Sequence, residues 1–532
     1  MRDRTVAVLG MFVVVILILL WAPKRFPLRA AASFTKTGTT ITVPEGGDLQ
    51  AALAAASPGD TIVLSAGATY AGEFVLPAKT GHGVITIRGS ESDHLPPENT
   101  RVGPKDAINM PKIVCPHCPA ITAAPGAHDY RLRGIEIHPA EGRYADSLVQ
   151  LGVFEKNTDR QPHDFEFDQM FLHGDPAKGT KRGLSLNAGR TVVRNSYFSD
   201  FKSDFQDSQA IAGWSGTGPY QIVNNYLEAS GENLMFGGAA PSVPNLVPSN
   251  IEISYNYLSK PRIWKGVWRV KNLLEFKDAQ HVRIRYNVLE NNWEGAQSGF
   301  AVLFTVRSCE GGDIPWAVVK DVNFSYNILR HTSQGINILG RDDARGTCKM
   351  NPPVAGQTSD VQISNNLFED LPDGGTAIQI LSGAQRLTID HNTMLQTGKV
   401  LVMAGPPSSE VIFRNNISPH NRYGIFGDSK GSGNNAINFY LRDSVITRNV
   451  IPGADPRSYP AGNFYPGSLN DVGFTNLADH IYSLAPSSKF RGKATDGKDP
   501  GADFDTVTRK TANVIKGVLP AEDIGENGLQ RH

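Results

Sequence analysis

A surplus of charge is missing from this sequence, in which 52 lysines and arginines stand against 52 aspartates and glutamates over 532 residues. Without a basic surplus there is no bulk attraction for a polyanion, and no nucleic-acid partner is expected. Cysteine is scarce as well, with four in the chain. Two of them, in Cys115-Pro116-His117-Cys118, have the spacing of a metal or redox motif, but no second pair and no helix start accompanies them. A local disulfide or two free thiols is what remains. Long apolar runs are lacking except from Val6 to Ala22, broken only by Gly10 and flanked by Arg2 and Arg4 before it and Lys24, Arg25 and Arg29 after it. That length is the lower limit for crossing a bilayer. Residues 1–32 are therefore expected to be a membrane anchor, or else a signal segment cleaved at Ala30-Ala31-Ala32. In both cases the remainder is exported to a periplasmic or extracellular setting.

What is abundant is a repeat. Val-x-Ile-x-x-Asn-x-Leu at Val282 to Leu289 recurs along the chain, and aligning on its asparagine gives Asn195, Asn225, Asn256, Asn287, Asn327, Asn366, Asn392, Asn416 and Asn449. Their separations are 30, 31, 31, 40, 39, 26, 24 and 33 residues. Three residues before them stand Val192, Ile222, Ile253, Ile284, Phe324, Ile363, Ile389, Phe413 and Ile446, and five before the middle six stand Ile251, Val282, Val322, Val361, Leu387 and Val411. The period of two marks one inward strand face, and a repeat of this size marks a solenoid whose coils bury that face by stacking. The Leu-x-x-Leu-x-Leu signature of leucine-rich repeats is missing. An all-β, right-handed parallel β-helix is the expected fold, with each asparagine at a bend where its amide meets those about 4.8 Å above and below. The 53 glycines and 34 prolines suit its many turns.

Near the start, Asp48 is placed to cap a short Ala/Leu helix that ends at Pro58-Gly59. That helix, the strand Pro58-Gly59-Asp60-Thr61-Ile62-Val63-Leu64 and the exit Gly72-Glu73-Phe74-Val75-Leu76-Pro77 resemble the opening of pectin-lyase-like β-helix proteins. The resemblance implies a helix that plugs the open end of the solenoid, where core and strand edges would otherwise be exposed. Ser483-Leu484-Ala485-Pro486 and Thr495 to Asp503 resemble the closing segment of the same proteins. The expected organisation is residues 1–32 as anchor or signal, 33–503 as β-helix with its N-terminal capping helix, and 504–532 as a C-terminal tail, in a monomer.

Cys309 lies 18 residues before Asn327, and Cys348 lies 18 before Asn366. Equal offsets in adjacent coils predict a Cys309–Cys348 disulfide.

A strand with charges between its core residues is the place to look for chemistry. With Asn272, Leu274 and Phe276 inward, Lys271, Leu273, Glu275 and Lys277 face outward. Glu232-Asn233-Leu234-Met235 matches Lys271 to Leu274 one coil earlier, which sets Glu232 beside Lys271, and Arg307 falls one coil later beside Lys277 or Asp278. Such a mixed patch suits β-elimination of a uronic-acid polymer. The proton beside a carboxylate becomes removable once that carboxylate is neutralised, and a lysine can then take it. Lys277, Arg307 and Lys271 are the candidate catalytic residues, and Glu232 and Glu275 are candidate ligands for Ca²⁺, which prefers carboxylate oxygens. Of six tryptophans, five fall between Trp214 and Trp316. Trp264, Trp268 and Trp293, with Arg269, are the candidate substrate-binding residues, since indole faces suit sugar rings.

Glu275-Phe276-Lys277-Asp278 followed by Val282 to Asn287 resembles the Glu…Lys-Ser…Asn motif of polysaccharide lyase family six, which includes chondroitinase B and alginate lyases. The resemblance implies Lys277 as base, Arg307 as assisting residue and calcium held by Glu and Asn side chains. Asp278 stands where the family has serine. The expected function is cleavage of an acidic polysaccharide. One alternative is a glycan-binding or adhesin-like solenoid without chemistry. A hydrolase is another, with Glu232 and Glu275 as its carboxyl pair, because the paired Asp of polygalacturonases is met only by Asp342-Asp343, far from Gly81-His82-Gly83. An epimerase would share the first proton abstraction.

Overall fold

The computed structural model describes residues 38–152, 154–309, 313–342, 356–372 and 374–521. Residues 1–32, for which an anchor or signal is expected, lie outside them. No helix among the described residues is long and apolar enough to cross a membrane.

The chain from Gly38 winds as a parallel β-helix of three sheets. The first has 15 strands, from Thr40–Val43 to Leu441–Arg442; the second has 13, from Phe74–Leu76 to Gly431–Ser432; the third has 11, from Thr69–Ala71 to Thr393–Gln396. Through the middle of the solenoid the next strand in each sheet comes from the next coil, so each turn of chain there adds one layer to all three, while the second sheet ends in the short antiparallel strand Gly431–Ser432. The aliphatic columns read from the sequence are aligned in register: Ile251, Val282, Val322, Val361, Leu387 and Val411 pair in series, as do Ile253, Ile284, Phe324, Ile363, Ile389 and Phe413. Both columns lie in one continuous core.

At the bend after each first-sheet strand the asparagines form a ladder. The Asn225 N–H donates to Asn256 Oδ1 (2.9 Å), the Asn256 N–H to Asn287 Oδ1 (2.8 Å), and the Asn287 N–H to Asn327 Oδ1 (2.9 Å). The series runs on through Asn366, Asn392, Asn416 and Asn449. Two details differ from the sequence alignment. The rung expected of Asn195 belongs to Ser196, whose N–H donates to Asn225 Oδ1, because Ile222 pairs with Val193 and not Val192. At the other end Asn463 adds a rung, accepting the Asn449 N–H only 14 residues on, where the coil is too short to show the repeat. The residue before a rung turns left-handed, as at Tyr255 (φ 58°), Tyr286 (60°) and Tyr326 (57°), a conformation costing roughly 1–2 kcal/mol per residue that the ladder offsets.

The N-terminal plug is the helix Leu49–Ala55, with Asp48 Oδ1 accepting the Ala51 N–H (2.9 Å) and Leu49, Ala52 and Leu53 buried in the core. The C-terminal segment, expected as a tail, is packed through residue 519. Asp503 caps the helix Phe504–Thr511, Val507 packs with Leu367 and Tyr482, and Val514 packs with Val223, Tyr255 and Val288. Arg101 then donates to the carbonyls of Val514 (2.9 Å) and Ile515 (2.7 Å), and the Leu519 N–H to that of Asn99. The segment therefore runs back along the solenoid towards its first coils.

Asn287 tests the ladder best, because its amide also donates to the carbonyls of Ile253 and Arg285. Asn287→Ala removes these donors and leaves the Asn256 N–H without its acceptor, while the Arg285 carbonyl keeps only the Tyr255 N–H. The variant should lose about 2–4 kcal/mol, read as a lower urea midpoint. A midpoint within about 0.5 kcal/mol of the parent would mean that the rungs do not carry the bend.

Candidate active site

The second sheet presents the charged patch. Its strands Gln209–Gly213, Glu232–Phe236, Asn272–Phe276 and Phe300–Thr305 stack in parallel. Phe236, Phe276 and Phe304 line up inside, with centroids 5.9 and 6.0 Å apart. The positions between core residues, Met235, Glu275 and Leu303, pair along the opposite face. The simple alternation fails one step earlier: Leu273 and Leu274 both belong to the core, whereas outward placement was expected for Leu273, and Asn272 donates to Gln297 Oε1 (2.7 Å). At the corner before the strand Lys260, fully buried, donates to the carbonyls of Ala229 (2.6 Å), Gly231 (2.9 Å) and Asn272 (3.0 Å) and to Asn233 Oδ1 (2.7 Å). Burial lowers its pKa to about 7.

Glu232 and Lys271 meet as expected. Lys271 Nζ lies 2.5 Å from Glu232 Oε1 and donates to Asp207 Oδ2 at 2.7 Å, while Asp207 Oδ1 accepts from Arg269 Nε at 3.2 Å. Glu232 Oε2 accepts from Gln209 Nε2 (2.8 Å), and Gln209 Oε1 accepts from Arg182 Nη2 (2.8 Å). Burial opposes the charge on Lys271, but Glu232, Glu275 and Asp207 outweigh it and raise its pKa above the ordinary lysine value. Burial likewise works against the Asp207 carboxylate, and Lys271 outweighs it, so its pKa is lowered. These contacts favour Lys271 as an ammonium, a source of positive field in the patch. The same contacts bear on calcium. That ion takes about 6–8 oxygen ligands, whereas Glu232 is already held by an ammonium and an amide, and Lys277 Nζ lies 3.8 Å from Glu275 Oε1. The two glutamates as set here do not fit it.

Lys277 and Arg307 are brought together, the Arg307 N–H donating to the Lys277 carbonyl at 2.9 Å from the next coil. Thr305 Oγ1 donates to Glu275 Oε1 (3.4 Å), and Arg307 Nη1 lies 3.9 Å from Asp342 Oδ1. Lys277 is only 4% exposed. Gly237 and Gly238 run over it with φ of 91° and 83°, and a Cβ on Gly237 would come within 3.0 Å of the Lys277 Cβ. Asp278 is buried too, with Oδ1 accepting the Val318 N–H (3.1 Å) and Oδ2 without a hydrogen-bond partner among the described residues.

The tryptophans are placed differently from open stacking faces. Trp264 (3% exposed) and Trp293 (8%) pack with Val270 and Trp268 in one apolar cluster, and Lys202 Nζ sits 5.2 Å from the ring centres of both Trp264 and Trp268. Packing leaves the first two little indole surface for a ligand. The more open aromatics nearby are Phe205 and Tyr144, whose rings lie 5.2 Å apart. Nothing in the repeat marks them or Asp207, because all three stand in loops. Asp342 Oδ2 accepts the Ser308 N–H, and Asp343 lies outside the described residues. Cys115 and Cys118 form a disulfide. Cys309 is disulfide-bonded, and its expected partner Cys348 lies outside the described residues.

Comparison with known proteins bears on the fold. A family model described as right handed beta helix region matches residues 308–461. The catalytic unit of a thermostable GH87 α-1,3-glucanase from Streptomyces thermodiastaticus strain HF3-3 is 13% identical over 83% of this chain and 72% of its own, with a TM-score of 0.51. The PL6 family alginate lyase AlyGC is 14% identical over 88% of this chain, with a TM-score of 0.48, and the match spans 58% of that enzyme's length. The tailspike protein of E. coli bacteriophage HK620, solved with a hexasaccharide, is 13% identical over 77% of this chain and 60% of its own, with a TM-score of 0.44. No curated protein matches. This chain is a right-handed parallel β-helix protein, as its repeat implies.

Burial lifts the pKa of Asp278 from 3.8 to about 7, against the opposing Val318 hydrogen bond. Between those values the folded chain keeps a proton that the unfolded chain releases, so stability falls as pH rises through that window. Asp278→Asn retains an acceptor for the Val318 N–H and removes the loss. Its urea midpoint should exceed the parent's at pH 8, by up to about 4 kcal/mol, with the gain shrinking towards pH 4. The same gain at both pH values would show that ionisation of Asp278 is not its source.

Proposed function

We propose that this chain cleaves an acidic, uronic-acid polysaccharide by β-elimination on the outward face of the second sheet. The observation that carries the reading is Lys277 against Arg307 on adjacent coils, next to the ammonium of Lys271. In this reading the sugar carboxylate is neutralised by Arg307, whose side chain is part-exposed, and by the field of Lys271. Lys277 as a neutral amine takes the proton from the carbon beside that carboxylate. The released electron pair forms the carbon–carbon double bond, the bond to the glycosidic oxygen breaks, and that oxygen takes a proton from water while the Lys277 ammonium releases to solvent the one it took. Glu275 beside Lys277 receives positive charge as the amine becomes an ammonium. Phe205 and Tyr144 supply open ring surface at the flank. Export, with the N-terminal segment as anchor or signal, fits a polymeric substrate, and the Cys115–Cys118 disulfide supports an oxidising compartment. The protein would act there as a monomer.

One observation favours a second reading. Lys277 and Glu275 lie under the Gly237-Gly238 crossing, and a groove that never uncovers them would bind a glycan without chemistry.

Ultraviolet absorbance of unsaturated sugar ends, followed over a panel of polyuronates and glycosaminoglycans, separates the two. Lysis predicts a rise that Lys277→Ala reduces at least about 100-fold, the scale of a lost general base. It also predicts that adding Ca²⁺ to chelator-treated protein leaves the rate unchanged. Binding to a polyuronate with no rise on any substrate would support the second reading, and new reducing ends without a rise would point to hydrolysis.

A further inference from the structure

The outer face of the third sheet carries a cluster that the polysaccharide reading does not use. Glu136 and His138 project two residues apart from the strand Glu136–Pro139, and His173 comes from Phe171–His173 in the next coil, where Phe171 pairs with Glu136 and Leu172 with Ile137. The two imidazoles stack with centroids 4.8 Å apart and planes 16° apart. One ligand atom from each of the three residues lies within 4.8 Å of the other two.

The hydrogen bonds decide which ring atoms are available. His138 Nδ1 faces the Pro139 carbonyl at 2.8 Å, and His173 Nδ1 faces the Gly174 carbonyl at 3.0 Å. A carbonyl accepts only, so both Nδ1 atoms carry the proton and the Nε2 atoms are the ones left for a ligand, His173 Nε2 meeting Glu136 Oε1 through a proton that a metal ion would displace. Main-chain carbonyls on the far nitrogen fix the tautomer in just this way for metal-binding histidines. His173 Nε2 already lies 3.1 Å from Glu136 Oε1. The other stacked pair, His128 and His163, shows the contrast: its Nδ1 atoms face Asp129 and Asp164, and His128 Nε2 is taken by the Lys79 carbonyl. Stacking alone is a property of the coils, whereas here, among the described residues, two imidazole Nε2 atoms and a carboxylate converge within 4.8 Å of one another.

We propose that Glu136, His138 and His173 bind a divalent transition-metal ion of the zinc class. Two imidazoles and one carboxylate suit such an ion at about 2.0–2.2 Å, with the fourth position left to water. Small ring rotations draw the donor atoms in to that distance. Lys112 Nζ contacts Glu136 Oε2 and leaves Oε1 for the metal, so Lys112 competes for the carboxylate and moderates the affinity. The ion would sit at the root of the loop that carries Tyr144, and would tie two coils together there. The sequence pointed to metal chemistry one strand away, in Cys115-Pro116-His117-Cys118, where Cys115 pairs with Pro139 and is closed by its disulfide.

Co²⁺ titration of the full chelator-stripped chain, read by visible absorption, tests the site. One equivalent should bind and be displaced by Zn²⁺. His138→Ala and His173→Ala should each weaken binding at least about 100-fold, while Lys112→Met should strengthen it several-fold. Because a misfolded variant would also lose the signal, the parent is measured by itself: its thermal midpoint should rise with Zn²⁺ and not with Ca²⁺. Absence of stoichiometric binding, an unchanged signal in the histidine variants, no rise with Zn²⁺, or an affinity in Lys112→Met that fails to increase would each overturn the assignment.

Discussion

The asparagine rungs solve the problem on which this architecture depends. Each coil has to turn sharply from the first sheet into the third, and the turn leaves main-chain groups that neither sheet can pair. One amide per coil accepts the N–H of the previous rung and donates to carbonyls of the bend, so the groups are satisfied within the stack. Because each rung is tied to the next, register in one coil sets register in the following one, even where coil length changes from 31 to 40 residues. Insertions can therefore leave on the loop side without moving the strands. That constancy keeps Arg307 against Lys277 from the next coil, with the insertion of the longer coil leaving after Arg307 and before the strand Val318–Ser325.

Charge under the second sheet obeys a different economy. Taking ions out of water is costly unless each is paired and hydrogen-bonded, and here the pairing is nearly complete, from Arg182 through Gln209, Glu232 and Lys271 to Asp207. Lys260, beneath them, meets carbonyl oxygens from two coils with one ammonium. Such an arrangement fixes side chains more than it stabilises the fold, since apolar residues would fill the same volume at less electrostatic cost. Rigid, pre-oriented charge is useful where charge must be met during a reaction.

Much of the fold was legible because the core columns repeat in phase with the rungs, from Ile251 and Ile253 up to Val411 and Phe413. The pairing of Glu232 with Lys271, and of Lys277 with Arg307, followed from the same phase. Ser196 took the rung expected of Asn195 because the alignment there is off by one residue, and Leu273 is buried although its strand keeps register with its neighbour. Packing, which no local pattern reports, closed Trp264 and Trp293 into a cluster around Val270. Asp207, Phe205 and the His138–His173 pair each occur at one place along the solenoid, and a repeat reveals only what recurs.

The C-terminal segment alters how such a rod comes apart. A stack of coils in which each touches only its neighbours frays from whichever end is weaker. Here Arg101 grips the carbonyls of residues more than four hundred positions away, so a segment that follows the closing coils in sequence is fastened beside the first coils. Loosening either end then breaks contacts made by the other, and partial opening is replaced by a more concerted event. A protein built this way gains resistance to proteases, which act on transiently open segments, and it does so by closing a linear assembly into a loop.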